Sequence, residues 1–171
     1  LGPTMTKVIL CDDHALIRRG IRDTLLDADD IEVVGEASDY GELRALLRDK
    51  SCDVLVLDIN LPGRSGLDVL HVLKEEGMPV KVLVVSMFPE DQYAMRALKA
   101  GAKGYVMKSA PHDSLKAALQ RVAEGGIFVS RAISERILAA YSSGSKPRVD
   151  DGLHSLTDRE FEVFQMIGEG K

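Results

Sequence analysis

Five short apolar runs, each followed by an amphipathic stretch, constrain this chain more than any other feature. The runs cover 7–11, 32–37, 53–57, 80–86 and 104–107, most of them rich in Val, Ile or Leu. Each is strand-length, and the segment 54–57 is apolar without a break, as expected of a strand buried on both faces. Between the runs, apolar residues recur at three- and four-residue spacing. They are Leu16, Ile17, Gly20, Ile21 and Leu25, then Leu43, Leu46 and Leu47, then Leu67, Leu70 and Leu73, then Tyr93, Met95, Ala97 and Leu98, and finally Leu115, Ala118, Leu119 and Val122. That spacing marks helices. Parallel neighbours need crossover connections, and right-handed crossovers lay helices on both faces, so the predicted fold class is α/β with a doubly wound five-stranded parallel sheet.

Beyond Gly125-Gly126 the pattern changes. A further helix is expected from about residue 130 to 141, followed by the stretch "SSGSKPRVDDGLHS", which is poor in apolar residues and reads as a flexible linker. In the closing "LTDREFEVFQMIGEGK", Thr157 and Glu160 have capping-box spacing and Phe161, Phe164 and Ile167 share a helical face. One such helix cannot bury its own apolar side, so a second domain is expected to begin here and continue past Lys171. At the other end, Leu1-Gly2-Pro3-Thr4 reads as an appended remnant, with Met5 as the expected native start.

Composition excludes several classes. No apolar stretch approaches the roughly 20 residues of a membrane span, so no membrane association is expected. With 22 basic against 27 acidic residues, a net charge of −5 offers no global attraction to nucleic acid. Cys11 and Cys52 are too few for a disulfide framework or a zinc site and read as buried free thiols, consistent with a cytoplasmic setting.

Ligands of open α/β sheets collect beyond the carboxyl ends of the strands. The residues standing there are Asp12 and Asp13 after the first run, Asp58 after the third, Ser86 at the end of the fourth and Lys108 after the fifth. Alone, an Asp at a strand end more often caps a helix, and a lone Lys is usually surface. Their joint placement on four strands of one sheet argues for a shared crevice. Carboxylates about 5 Å apart repel by roughly 3 kcal/mol per pair at an effective dielectric near 20, so a cation is expected among them. Oxygen donors with room for water suit Mg²⁺. Beside that charge a carboxylate can attack a phosphoryl group, while Lys108 and the Ser86 hydroxyl bind its oxygens. The set points to phosphoryl transfer onto aspartate. His14 follows the acidic pair, but no second histidine is suitably spaced and Mg²⁺ prefers oxygen, so it is not counted as a ligand. His71, His112 and His154 read as surface residues. Arg18, Arg19 and Arg22 read as a solvated basic face that could meet a partner kinase.

The pair Asp12-Asp13, "DVLVLDINLPGRSGLDVL" around Asp58, Ser86, and "GAKGYVMKSAP" around Lys108 resemble the receiver domain of bacterial two-component response regulators. The tail is similar to the first helix of a LuxR-type helix-turn-helix, which resembles the NarL/FixJ subfamily. The resemblance implies a flavodoxin-like sheet of order 2-1-3-4-5. It divides the chain into a receiver at 6–126, a linker helix and flexible linker at 127–155, and a truncated all-α DNA-binding domain at 156–171. It implies that Asp58 is the phosphoacceptor and that Mg²⁺ is held by Asp13, by Asp12 largely through water, by Asp58 and by the backbone carbonyl of Asn60. It also implies that Ser86 and Lys108 sense the phosphoryl group and that Tyr105 is the switch aromatic, which swings inward when Ser86 is drawn to that group. The implied partners are a sensor histidine kinase, a second copy on phosphorylation, and promoter DNA through the complete C-terminal domain but not through this chain. Two positions depart from the common pattern: Met87 is bulky where Ala or Gly is usual, and Ser109 and Ala110 stand between Lys108 and Pro111. Two rival readings are a phosphate-independent receiver-like interaction module and an aspartyl-phosphate phosphohydrolase. In the latter the Asp-x-Asp follows the first strand, whereas the triplet Asp58-Ile59-Asn60 follows the third.

Overall fold

The computed structural model describes residues 5–110 and 112–142. Five strands, β1 (Thr6–Cys11), β2 (Ile31–Ala37), β3 (Val54–Leu57), β4 (Lys81–Ser86) and β5 (Gly104–Met107), form one parallel sheet in the order β2-β1-β3-β4-β5. The helices are α1 (Ala15–Leu26), α2 (Tyr40–Asp49), α3 (Gly66–Glu75), α4 (Glu90–Lys99), α5 (His112–Ala123) and α6 (Arg131–Ser142). The strands fall within a residue of the predicted runs. Side-chain alternation divides the core in two. Ile9, Cys11, Leu55, Leu57, Val82, Val84 and Tyr105 point to one face, against α2, α3, α4 and α6. Val8, Leu10, Val54, Val56, Leu83, Val85 and Val106 point to the other, against α1 and α5. The central strands thus contribute to both halves, which is why β3 and the inner parts of β1 and β4 lack a polar alternate, whereas the edge strand β2 carries Glu32 and Glu36.

The helix starts follow local chemistry. Asp39 caps α2 by accepting from Glu42 N–H at 2.8 Å, and the Glu42 carboxylate accepts from Ser38 N–H, one residue before the cap, at 2.7 Å. Ser65 caps α3 through Leu67 N–H at 3.0 Å. The innermost residues of α4 are Ala94, Arg96 and Ala97, whereas Tyr93, Met95 and Leu98 of the predicted face are only partly buried against the core. The small alanines bring this helix close to the sheet.

The segment after α5 is bound to the sheet. Phe128 forms a parallel bridge with Gly104, accepts from Tyr105 N–H at 3.0 Å and donates to the Lys103 carbonyl at 2.9 Å. It covers the outer edge of β5. Helix α6, expected as a linker helix, then lies on α4, with Ile133 buried in the core and Arg136 Nη1 donating to the Asp91 carbonyl at 3.1 Å. The tail at 156–171, with its predicted helix-turn-helix start, falls outside the described residues, as does the flexible linker from 143. Among the described residues no helix is long and apolar enough to cross a membrane. Both cysteines are free, and burial pushes their thiols up, Cys11 to about 12 and Cys52 to about 11.

Candidate functional site

Sheet register assembles the site. Cys11 pairs with Leu57 and Ser86 with Met107, so Asp12 and Asp58 leave neighbouring strands side by side and Lys108 emerges one residue past Ser86. The ladder continues into the loops, with Asp58 N–H donating to the Cys11 carbonyl at 3.0 Å and Lys108 N–H to the Ser86 carbonyl at 2.8 Å. Backbone geometry therefore fixes where these side chains start.

Lys108 Nζ lies 2.8 Å from Asp12 Oδ2 and 3.1 Å from Asp58 Oδ2, bridging two buried carboxylates. The three side chains are 4%, 5% and 2% exposed. Burial drives the Asp58 carboxyl above its usual range. The hydrogen bond from Asn60 N–H at 3.1 Å opposes that rise, the Asp12 charge adds to it, and Lys108 opposes it. For Lys108, burial favours loss of the proton, but the hydrogen bond to Asp12 and the charges of Asp58 and Asp12 prevail and hold the ammonium above its usual range. Mutual contact thus opposes burial at both groups, and at Lys108 it prevails.

Three carboxylates against one lysine leave an excess of negative charge. Asp12, Asp13, His14 and Asp58 each present a ligand atom, all within 4.8 Å of one another. Carboxylate oxygens at that spacing, with Asp13 a third exposed to solvent, fit a hard divalent cation that retains water. The donor set fits Mg²⁺. Asn60 contributes its N–H to Asp58, placing its peptide at the rim.

Ser86 is fully buried, and its Oγ accepts from Phe88 N–H at 2.9 Å. Tyr105 is also buried, with its hydroxyl donating to the Phe88 carbonyl at 2.8 Å, and burial pushes that phenol up to about 12. The Tyr105 ring thus points inward. Phe88 stacks on Tyr93 with centroids 4.7 Å apart. Met87, flagged as bulky, is 68% exposed and packs away from this chain of contacts. Every peptide bond among the described residues is trans, including Lys108-Ser109.

Three sequence readings are refined by the structure. His14 is part of the site, with Nδ1 at 3.2 Å from Asp12 Oδ1 and 3.1 Å from Asp13 Oδ1. Its N-cap position turns the ring back over the preceding carboxylates, a consequence of the turn and not of any histidine spacing. The basic face of α1 is only partly solvated. Arg18 Nε and Arg22 Nη1 pair with Glu36 of β2 at 3.2 and 2.9 Å, and Arg18 also donates to the Asp12 carbonyl, while Arg19 is exposed. His71, expected at the surface, is half-buried.

Comparison with known proteins agrees with this geometry. The family model for the response regulator receiver domain matches residues 8–120. The nitrate/nitrite response regulator homolog of Haemophilus influenzae is 35% identical over 164 residues, covering 96% of this chain and 76% of that protein. The oxygen regulatory protein NreC of Staphylococcus haemolyticus is 30% identical, covering 96% of this chain and 77% of that protein. Among solved structures, a LuxR-family two-component response regulator from Aurantimonas sp. SI85-9A1 superposes with a TM-score of 0.73 at 29% identity, covering 81% of this chain and 99% of that one. The chain therefore belongs to the two-component response regulators, as a receiver domain of the NarL/NreC type.

Proposed function

We propose that Asp58 accepts a phosphoryl group from a sensor histidine kinase and that the resulting state controls a C-terminal DNA-binding domain. The observation that carries this reading is the Asp12–Lys108–Asp58 bridge: a buried carboxylate held beside a buried ammonium at the carboxyl end of a sheet. One Asp58 carboxylate oxygen attacks phosphorus, the bond from phosphorus to the donor's leaving atom breaks, and an acyl phosphate results. When bound, Mg²⁺ would neutralise charge on the incoming group, held by Asp12, Asp13, Asp58 and the Asn60 carbonyl. Lys108 exchanges its carboxylate partner for a phosphoryl oxygen. Ser86 turns its hydroxyl toward another, giving up the Phe88 N–H.

That rotation has somewhere to go. Phe88 is tied at its N–H to Ser86 and at its carbonyl to Tyr105, so moving Ser86 disturbs Tyr105, the Tyr93 stack and the start of α4, on which Arg136 of α6 is fastened. A local charge event is thereby converted into displacement of a surface. Two-fold half-sites of helix-turn-helix regulators call for a homodimer on phosphorylation, with promoter DNA bound by the complete C-terminal domain. The protein works in the cytoplasm and catalyses only its own phosphoryl transfer and loss.

The test is intact mass after incubation with Mg²⁺ and a small acyl phosphate. A single phosphoryl adduct is expected, absent with chelator and absent in Asp58→Ala. No adduct, or one that survives the substitution, would make a phosphate-independent interaction module the better reading.

A further inference from the structure

We propose that His14 is a ligand of the metal pocket and biases it toward divalent cations that favour nitrogen over Mg²⁺. This rests on the acidic pocket holding a metal, as argued for the proposed function. Two independent observations support it. First, His14 occupies the N-cap of α1, where Ser, Thr, Asp or Asn would satisfy a free N–H, yet its side chain makes no capping bond. The helix therefore does not explain the residue. Second, the ring turns inward although its side chain is 54% exposed and could lie in water. Nδ1 sits 3.1 Å from Asp13 Oδ1 and 3.2 Å from Asp12 Oδ1, and the backbone N–H of His14 fixes the same Asp12 oxygen at 2.8 Å.

In the metal-free chain Nδ1 sits at hydrogen-bond distance from both carboxylate oxygens as an N–H donor, and a spacing of 3.1 to 3.2 Å is also about that of adjacent donors around one cation. A cation entering between Asp12, Asp13 and Asp58 would displace the Nδ1 proton, leaving the ring hydrogen on Nε2 and the Nδ1 lone pair free to bind it. Metal–ligand bonds of about 2.1 Å put opposite donors about 4.2 Å apart, so donors already within 4.8 Å need contract by only about half an ångström. Oxygen donors alone suit Mg²⁺ and Mn²⁺, whereas one imidazole raises affinity along the first-row series toward Ni²⁺ and adds little for Mg²⁺. The consequence is a pocket whose occupant depends on which cations are available.

The test measures Mg²⁺ and Mn²⁺ affinity calorimetrically and Ni²⁺ affinity by displacement of pocket-bound Mn²⁺, so that binding at the other histidines does not count. It compares the wild type, His14→Asn and Asp13→Asn, and adds electron spin echo modulation of the Mn²⁺-loaded protein to detect a coordinated ¹⁴N. The expected result is a ¹⁴N coupling in the wild type that vanishes in His14→Asn. The Ni²⁺ preference over Mg²⁺ should fall about tenfold or more in that variant, with Mg²⁺ affinity nearly unchanged. Asp13→Asn should weaken all three ions. No ¹⁴N coupling in the wild type, an unchanged preference, or an equal loss for every ion in His14→Asn would overturn the inference while leaving the Mg²⁺ pocket standing. Failure of the wild type to bind Mg²⁺ at all would instead overturn the pocket itself, and this inference with it.

Discussion

Lys108 neutralises two buried carboxylates at once, so its removal leaves both unpaired. Lys108→Met is expected to cost about 3 kcal/mol at neutral pH in the metal-free protein, measured by urea unfolding. Adding Asp58→Asn should restore part of that loss. The pH dependence has a defined sign. Burial raises the Asp58 carboxyl above its ordinary value of 3.8, so the folded chain holds that proton more tightly than the unfolded one. Stability therefore falls as pH climbs from the ordinary carboxyl range through the folded value. Asp58→Asn should accordingly stabilise the metal-free protein at neutral pH, with the gain vanishing below about pH 3.8; an unfolding midpoint indifferent to pH in this comparison would contradict the assignment. Lys108 has the same sign at higher pH: its raised value contributes stability below 10.5 that is lost as pH rises through the folded value. At this scale Asp12, Asp13, Asp58, Ser86 and Lys108 were legible because strand ends can be read from apolar runs. His14 was not, because its approach depends on the direction of a turn.

Elements are held in register by close backbone approach at two glycines. A Cβ on Gly66 would lie 2.6 Å from both the Asp58 carbonyl oxygen and Ile59 Cα, so the first turn of α3 packs directly on the backbone of the Asp58 loop. Gly66→Ala is expected to destabilise by about 1–3 kcal/mol and to slow phosphoryl uptake, read together by urea unfolding and the mass assay; normal uptake would show that the loop can yield. A Cβ on Gly104 would come within 3.0 Å of the Phe128 carbonyl, and Gly104→Ala should accelerate amide exchange at Tyr105 and Phe128. The edge contact at Phe128 was invisible in the sequence because a single bridged residue has no periodicity. Helix α4 was misread for a different reason. Its buried face is made of alanines that signal weakly and of Arg96, a cation lying 5.4 Å over the Tyr93 ring, which no hydropathy pattern places inside.

Across the whole molecule, alternation of strand and helix identified an α/β sheet, but periodicity could not order the strands; the order 2-1-3-4-5 came from the resemblance carried by the site motifs. Those motifs lie on separate strands; parallel alignment brings them to one end, and that order sets β1 beside β3 and β4 beside β5. The same assembly couples metal binding to folding. Mg²⁺ at 100 times its Kd should add about 2.7 kcal/mol of stability, and this increment should disappear in Asp13→Asn; a thermal melt with and without Mg²⁺ decides.

The way α6 is docked has a consequence for modular engineering. The natural-looking seam for exchanging output domains is Gly125-Gly126, where the receiver motifs have ended. A chimera joined there would discard the Phe128 bonds to Lys103 and Tyr105 together with buried Ile133, opening the β5 edge to strands of neighbouring molecules. Joined after Ser142, the donor module would inherit a closed sheet and a tether already seated on α4, so hybrid regulators built at that later seam should stay soluble where the earlier ones aggregate.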